Sequence, residues 1–214
     1  MTKLLERAQR CEWALYNARR RARLKNRDFT IISSTCTGTI IYYDMGLPYL
    51  SPTINLTISM RDLVKMAENL RWYMGQELVE AQNGGKCPAG LLGDIRVNFV
   101  HYDSFEEGRT CWERRKKRIN WDNIILMGME RDDCDYGVLQ SFDLLPYPNK
   151  VVFTHIPYPE FSSAYYIKGF EHQEELGTIT NYRPLPAHIR RRYMDAFDYV
   201  SFLNHAKENQ HGAI

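Results

Sequence analysis

Two short runs, Asn123–Met129 (NIILMGM) and Val151–Thr154 (VVFT), limit what this chain can fold into more than any other stretch does. A strand with one face in water alternates apolar and polar residues. These runs are apolar nearly throughout, which is the pattern of strands covered on both faces. Between them lies a helical stretch from about Asp135 to Leu145, stopped by Pro146. Strand, helix and strand in that order predict a parallel pair joined by a right-handed crossover. The expected fold class is α/β, with a mostly parallel sheet flanked by helices in a Rossmann-like three-layer arrangement.

The other expected elements follow from local pattern. Phe29–Ser34 (FTIISS) is a β-branched run and the first strand, followed by a small polar loop at Thr35–Gly38. Pro52–Ile58 alternates and is a second strand. Ser59 with Asp62 three residues on caps a helix whose apolar positions are Leu63, Met66, Ala67, Leu70 and Met74. Asn83–Gly90 is a loop, and Ile95–Val100 alternates as a strand. Ser104 and Glu107 cap a helix running to about Ile119. Tyr165–Lys168 is a further short strand, and Ala187–Lys207 reads as a closing helix.

The amino-terminal end stands apart in charge. Residues 1–28 hold nine basic groups and three acids, so they carry +6 of a whole-chain net charge of +2, which leaves −4 for the rest. Leu4, Ala8, Cys11, Leu15, Ala18 and Ala22 are spaced as one helical seam. The chain is divided accordingly into a basic amphipathic helix at 1–28 and an α/β domain at 29–214. The seam packs on its own domain or on a second copy in a homo-oligomer. The alternative is peripheral contact with an anionic membrane surface. No nucleic-acid motif accompanies the charge, so no nucleic-acid partner is expected.

No run of about 18 apolar residues is present, so no transmembrane helix is expected, nor is a signal peptide. The five cysteines are scattered with no Cys-x-x-Cys pair, which fits reduced thiols and a cytoplasmic location. The 14 tyrosines and 4 tryptophans serve mostly as core, with a share left to cover the flat faces of sugars.

In an open parallel sheet, ligands bind beyond the carboxyl ends of the strands. Four strand ends carry suitable groups here. The first is the loop Ser34, Thr35, Thr37 and Gly38, whose amides and hydroxyls suit a phosphate, or form only a hydroxyl-rich turn. Cys36 within it is a bystander thiol. His101 and His155 each end a strand and are candidate bases for an attacking hydroxyl, or satisfied structural histidines. Asp132 joins them as a candidate catalytic group, and Tyr158 as a substrate-binding one. Asp133 and Asp135 spell an Asp-x-Asp element with oxygen donors for magnesium or manganese, or caps for the following helix. Arg115 and Arg118 are candidate phosphate contacts from the cationic run 114–118, or part of a solvated helix face. Asp94 belongs to a turn. There is no G-x-S-x-G, H-E-x-x-H or P-loop, which disfavours common hydrolases, metalloproteases and nucleotide triphosphatases. The hexapeptide repeat of one acetyltransferase class is also missing.

Several longer stretches run in a set order: Ile32–Leu56, Gly90–Ile95, Trp112–Leu126 (WERRKKRINWDNIIL), Phe142–Glu160 (FDLLPYPNKVVFTHIPYPE) and Tyr166–Glu171. In this the chain resembles a family of uncharacterised bacterial proteins, a domain of unknown function often found in polysaccharide gene clusters. The resemblance implies a role in exopolysaccharide or capsule biosynthesis and supplies no mechanism. Together with the strand-end groups it leads to an expected transferase acting on a nucleotide-sugar or other phosphate-linked donor, with a glycan as acceptor. The alternatives are a non-catalytic glycan- or partner-binding protein of that pathway and a polysaccharide-modifying acyltransferase.

Overall fold

A computed structural model describes residues 3–82 and 86–208. In chain order the elements are α1 (Lys3–Arg23), β1 (Thr30–Ser33), α2 (Thr37–Met45), α3 (Met60–Glu68), α4 (Leu70–Gly75), β2 (Leu78–Glu80), β3 (Ala89–Leu92) and β4 (Ile95–Asn98). They continue with α5 (Phe105–Lys116), β5 (Ile124–Met129), α6 (Tyr136–Leu144), β6 (Lys150–Thr154), β7 (Ala164–Tyr166), a 3-10 turn at Tyr193–Ala196, and α7 (Tyr199–Glu208). The main sheet has the order β1-β5-β6-β7 with every pair parallel. A smaller antiparallel sheet has the order β2-β3-β4.

Strands β1, β5 and β6 are buried on both faces, as their composition requires, while the edge strand β7 is half-buried. Ile32, Leu126 and Val152 point into one cluster with residues of α3, α4, α5, α6 and the small sheet. Their neighbours Ile31, Ile125, Met127, Val151 and Phe153 point into a second cluster with α2, α7 and the carboxyl-terminal segment. The period of two along each strand separates the clusters. Each fully buried Ile, Leu or Phe contributes roughly 1.5–3 kcal/mol. At Gly128 an added Cβ would lie 2.6 Å from the Met60 sulfur, so α3 approaches the sheet as closely as a bare backbone permits.

Six expectations change, the first being the helix expected across Leu63, Met66, Ala67, Leu70 and Met74, which is broken at Asn69 into α3 and α4. Thr37–Met45, expected as a loop and unassigned chain, is helix α2, ended by Gly46 in the left-handed conformation (φ 65°). Pro52–Ile58 runs beside β1 as irregular chain with a single antiparallel bridge, Thr57 to Asn98. Pro52 lacks an N–H, Asn55 is left-handed (φ 61°), and the Thr53 hydroxyl receives the Ser33 N–H at 3.0 Å in place of a strand partner. Ile95–Asn98 is a strand, but of the antiparallel sheet, because Gly93 (φ 62°) and Asp94 form a two-residue turn back from β3. Asn83–Gly90 lies partly outside the described residues, and its Ala89 and Gly90 belong to β3. The closing helix begins only at Tyr199, while 187–192 is non-helical.

The amino-terminal helix forms as expected but turns the other way. Its seam of Leu4, Ala8, Cys11, Leu15, Ala18 and Ala22 is exposed. The docked face carries Trp13, Tyr16, Asn17, Arg20 and Leu24. The Arg20 guanidinium pairs with Asp195 at 3.1 Å and covers the Tyr199 ring at 3.7 Å. Arg191 bonds Glu12 at 2.6 Å and covers Tyr16 at 3.6 Å. Arg192 joins Asp44 to Asp195 beneath the helix. Charged and ring contacts, rather than the weak alanine-rich seam, decide which face is buried.

Candidate functional site

The carboxyl ends of β1, β5 and β6 lie side by side because the strands are parallel and adjacent. Beyond β1, Ser34 is buried and its hydroxyl receives the Met129 N–H at 3.1 Å, tying β1 to β5. The Thr35 and Thr37 hydroxyls bond one another at 2.9 Å, and Thr35 donates to the Met129 sulfur at 3.1 Å. The loop then enters α2 without a side-chain cap. Gly38 sits where a Cβ would be 3.0 Å from Ile31, which seats the first turn of α2 directly on β1. The first-turn amides of a helix have no intrahelical acceptor, and they carry the positive end of its dipole. Burial pushes the Cys36 thiol up to about 11, so it is a protonated bystander.

Beyond β5 and β6 stands a connected group. Glu130 is buried and follows the last apolar residue of β5. Its Oε2 receives the His155 backbone N–H at 2.8 Å and lies 2.6 Å from His155 Nδ1. Its Oε1 receives the Tyr158 hydroxyl at 2.7 Å. A carboxylate is an acceptor only, so the proton of a neutral His155 sits on Nδ1 and the Nε2 lone pair is open. Nε2 has no hydrogen-bond partner among the described residues, and it is not among the buried atoms left unsatisfied, so it retains access to solvent. Burial, then the Glu130 charge, raises the Tyr158 phenol well above its ordinary value and keeps it a donor. The same two causes push the Cys134 thiol up to about 12. A carboxylate orienting an imidazole whose far nitrogen faces outward is an arrangement that accepts a proton from a hydroxyl.

The loop after Glu130 folds over this edge. Leu176 N–H donates to the Glu130 carbonyl at 2.8 Å, and Asp132 N–H to Glu175 Oε2 at 2.6 Å. Asp132 is left-handed (φ 58°) and exposed, held there by Glu175. Asp133 and Asp135 both face Arg61, at 3.5 and 3.0 Å. Asp135 also caps α6 by accepting the Val138 N–H at 2.9 Å, and that bond, then Arg61, holds its carboxyl below the usual range. The pair already has a cation, and no group of three His, Cys, Asp or Glu suited to a metal occurs among the described residues. These donors fit an ion pair and a helix cap better than a magnesium or manganese site.

The remaining predicted site residues lie elsewhere. His101 follows β4 of the antiparallel sheet and is exposed, because β4 is not a strand of the parallel sheet. No hydrogen bond or ion pair joins it to Glu130 or His155. Arg115 is buried against the Tyr49 ring at 5.4 Å and bonds the Tyr102 hydroxyl. Arg118 is exposed at the end of α5. The chain just beyond, at Asn120, donates to the Thr30 hydroxyl at 2.8 Å, at the first residue of β1. Arg118 therefore lies toward the amino edge of the sheet, opposite His155, and Arg115 is taken up by Tyr102 and Tyr49. Asp94 makes the β3–β4 turn and accepts from Tyr73 at 2.7 Å.

Comparison with known proteins gives a family without an activity. The family described as "Domain of unknown function (DUF1919)" matches residues 8–204, a span that includes most of α1. An uncharacterized protein of Haemophilus influenzae is 40% identical over 184 residues, covering 86% of this chain and 88% of that protein.

Proposed function

The chain belongs to the DUF1919 family, and we propose that this member is a transferase whose active site is the carboxyl edge of the parallel sheet. The observation that supports the reading is the Glu130–His155 contact at 2.6 Å, with Tyr158 on the other carboxylate oxygen. In this reading a Rossmann-like, three-layer framework presents both the base and the donor site. His155 Nε2 takes the proton from an acceptor hydroxyl as its oxygen forms a bond to the electrophilic centre of a phosphate-linked donor. The bond to the leaving phosphate breaks, and the phosphate keeps the electron pair. The first turn of α2 holds that phosphate, with the Thr35 hydroxyl, 3.5 Å from the Thr37 N–H, beside it. Arg131, whose Nε lies 4.0 Å from Glu175 Oε1, is the cation of this loop and exchanges that carboxylate for the donor phosphate. Tyr136, half exposed and 6.2 Å from the Tyr158 ring, offers an acceptor sugar a flat face. Surface-polysaccharide assembly is the setting that the family resemblance implies.

The exposed ring of Tyr136, with Phe161 5.0 Å away, also favours a second reading, a glycan-binding protein without turnover. Thermal unfolding against nucleotide sugars, nucleotide-linked polyols and acetyl-coenzyme A, with and without magnesium or manganese, separates the readings. A ligand at about 100 times its Kd adds about 2.7 kcal/mol. A shift with one nucleotide-linked donor is expected. His155→Ala and Glu130→Gln should keep that shift and lose turnover by roughly 10²–10⁴-fold. Full turnover in both variants contradicts the assignment. A flat donor panel with a shift by a glycan alone favours the binding protein.

A further inference from the structure

The outward face of α1 is left without a partner, and it is not neutral. Leu4 and Leu15 are 78% and 53% exposed, with Ala8, Cys11, Ala18 and Ala22 completing the stripe. Lys3, Arg7 and Arg10 flank it on one side and Arg19 on the other, by helical spacing. No side chain of these four makes a hydrogen bond or ion pair among the described residues. The inward cations differ, since Arg20 is bound to Asp195 and Arg23 to Asp198. Beside α1, the segment 182–188 runs exposed, and the chain to Arg190 lines an open cleft of about 490 Å³ with Glu6, Gln9 and Arg10. That segment carries the exposed Arg183 and His188 and the partly exposed Leu185 along the edge of α1 marked by Arg10.

We propose that this face seats the protein on an anionic lipid bilayer, with α1 lying in the headgroup plane. Charge complementarity selects the occupant. A second copy presenting the same face would set arginine against arginine, which is disfavoured, whereas lipid phosphates match every flanking cation. The stripe holds only two leucines, so attachment rests mainly on charge and is reversible and salt-sensitive. No described helix is long and apolar enough to cross a membrane, which fits a surface contact. This inference does not rest on the reading of the sheet edge.

Co-sedimentation of the full chain with vesicles tests it. Vesicles of phosphatidylcholine with phosphatidylglycerol should bind the protein, vesicles of phosphatidylcholine alone should not, and added salt should release it. The triple variant Arg7→Glu, Arg10→Glu, Arg19→Glu alters exposed side chains only, so its circular dichroism should match the wild type. Its vesicle affinity should fall at least about tenfold. Equal binding to both vesicle types, no binding to either, or an unchanged triple variant would overturn the proposal. So would a dimer in sedimentation velocity that Leu15→Arg dissociates, which would give the face to a second copy.

Discussion

Glu130 is held through backbone and side chain alike. Its N–H donates to Phe153, its carbonyl accepts from Leu176, and its carboxylate receives His155 and Tyr158. A buried carboxylate needs such partners, since an unpaired one is costly to desolvate. His155 and Tyr158 were legible in the sequence as polar groups at a strand end. Glu130 shared that signal, being the first polar residue after six apolar ones, but a lone glutamate there has no distinctive spacing. The capping alternative for Asp135 is what the structure shows, whereas its bond to Arg61 joins residues 74 apart and no local pattern announces it. The thiols give a residue-scale prediction. Cys36 and Cys134, raised to about 11 and about 12, stay protonated at pH 8, while Cys11 is exposed. Iodoacetamide should therefore label Cys11 in the native protein and reach Cys36 and Cys134 only after denaturation. Rapid native labelling of Cys134 would contradict its burial beside Glu130.

Elements were legible where a pattern is strong and local. The Ser59 and Ser104 caps are present, accepting from Asp62 at 3.1 Å and Glu107 at 3.2 Å. The buried strands β5 and β6 fall where their apolar runs lie. Helix α2 was not legible, because its Ile-Ile-Tyr-Tyr core is as apt for a strand as for a helix, and tertiary packing on β1 decides. The sheet to which Ile95–Asn98 belongs turned on the Gly93-Asp94 pair, a hairpin signal that was in the sequence and outweighed by the strand–helix–strand alternation. Helix α5 packs on Phe99, the residue just after β4, through Gly108, where a Cβ would come within 2.5 Å of the Phe99 ring. Gly108→Val should therefore cost about 1–3 kcal/mol in urea unfolding, through displacement of that ring. An unchanged midpoint would mean that α5 and Phe99 do not meet as described.

At the scale of the whole molecule, the two ends of the chain close on each other. The arginines of α1 meet Asp195 and Asp198, and Asn26 bonds the Leu203 carbonyl at 2.8 Å. These contacts span more than 170 residues, so sequence periodicity indicated a helix but not which face it buries. The consequence is a division of surfaces, with a carboxylate–imidazole pair at the sheet's carboxyl edge and, on the outside of α1, cations that have no ion-pair partner among the described residues. The proposed chemistry depends on which nitrogen of one imidazole holds the proton. Long-range nitrogen–proton NMR correlation of the imidazoles in ¹⁵N-labelled protein reads this directly, with the His155 signal assigned by its loss in His155→Ala. The account predicts that the neutral form of His155 carries its proton on Nδ1, with Glu130→Gln changing that pattern. A neutral His155 protonated on Nε2, or a pattern indifferent to Glu130→Gln, would contradict it.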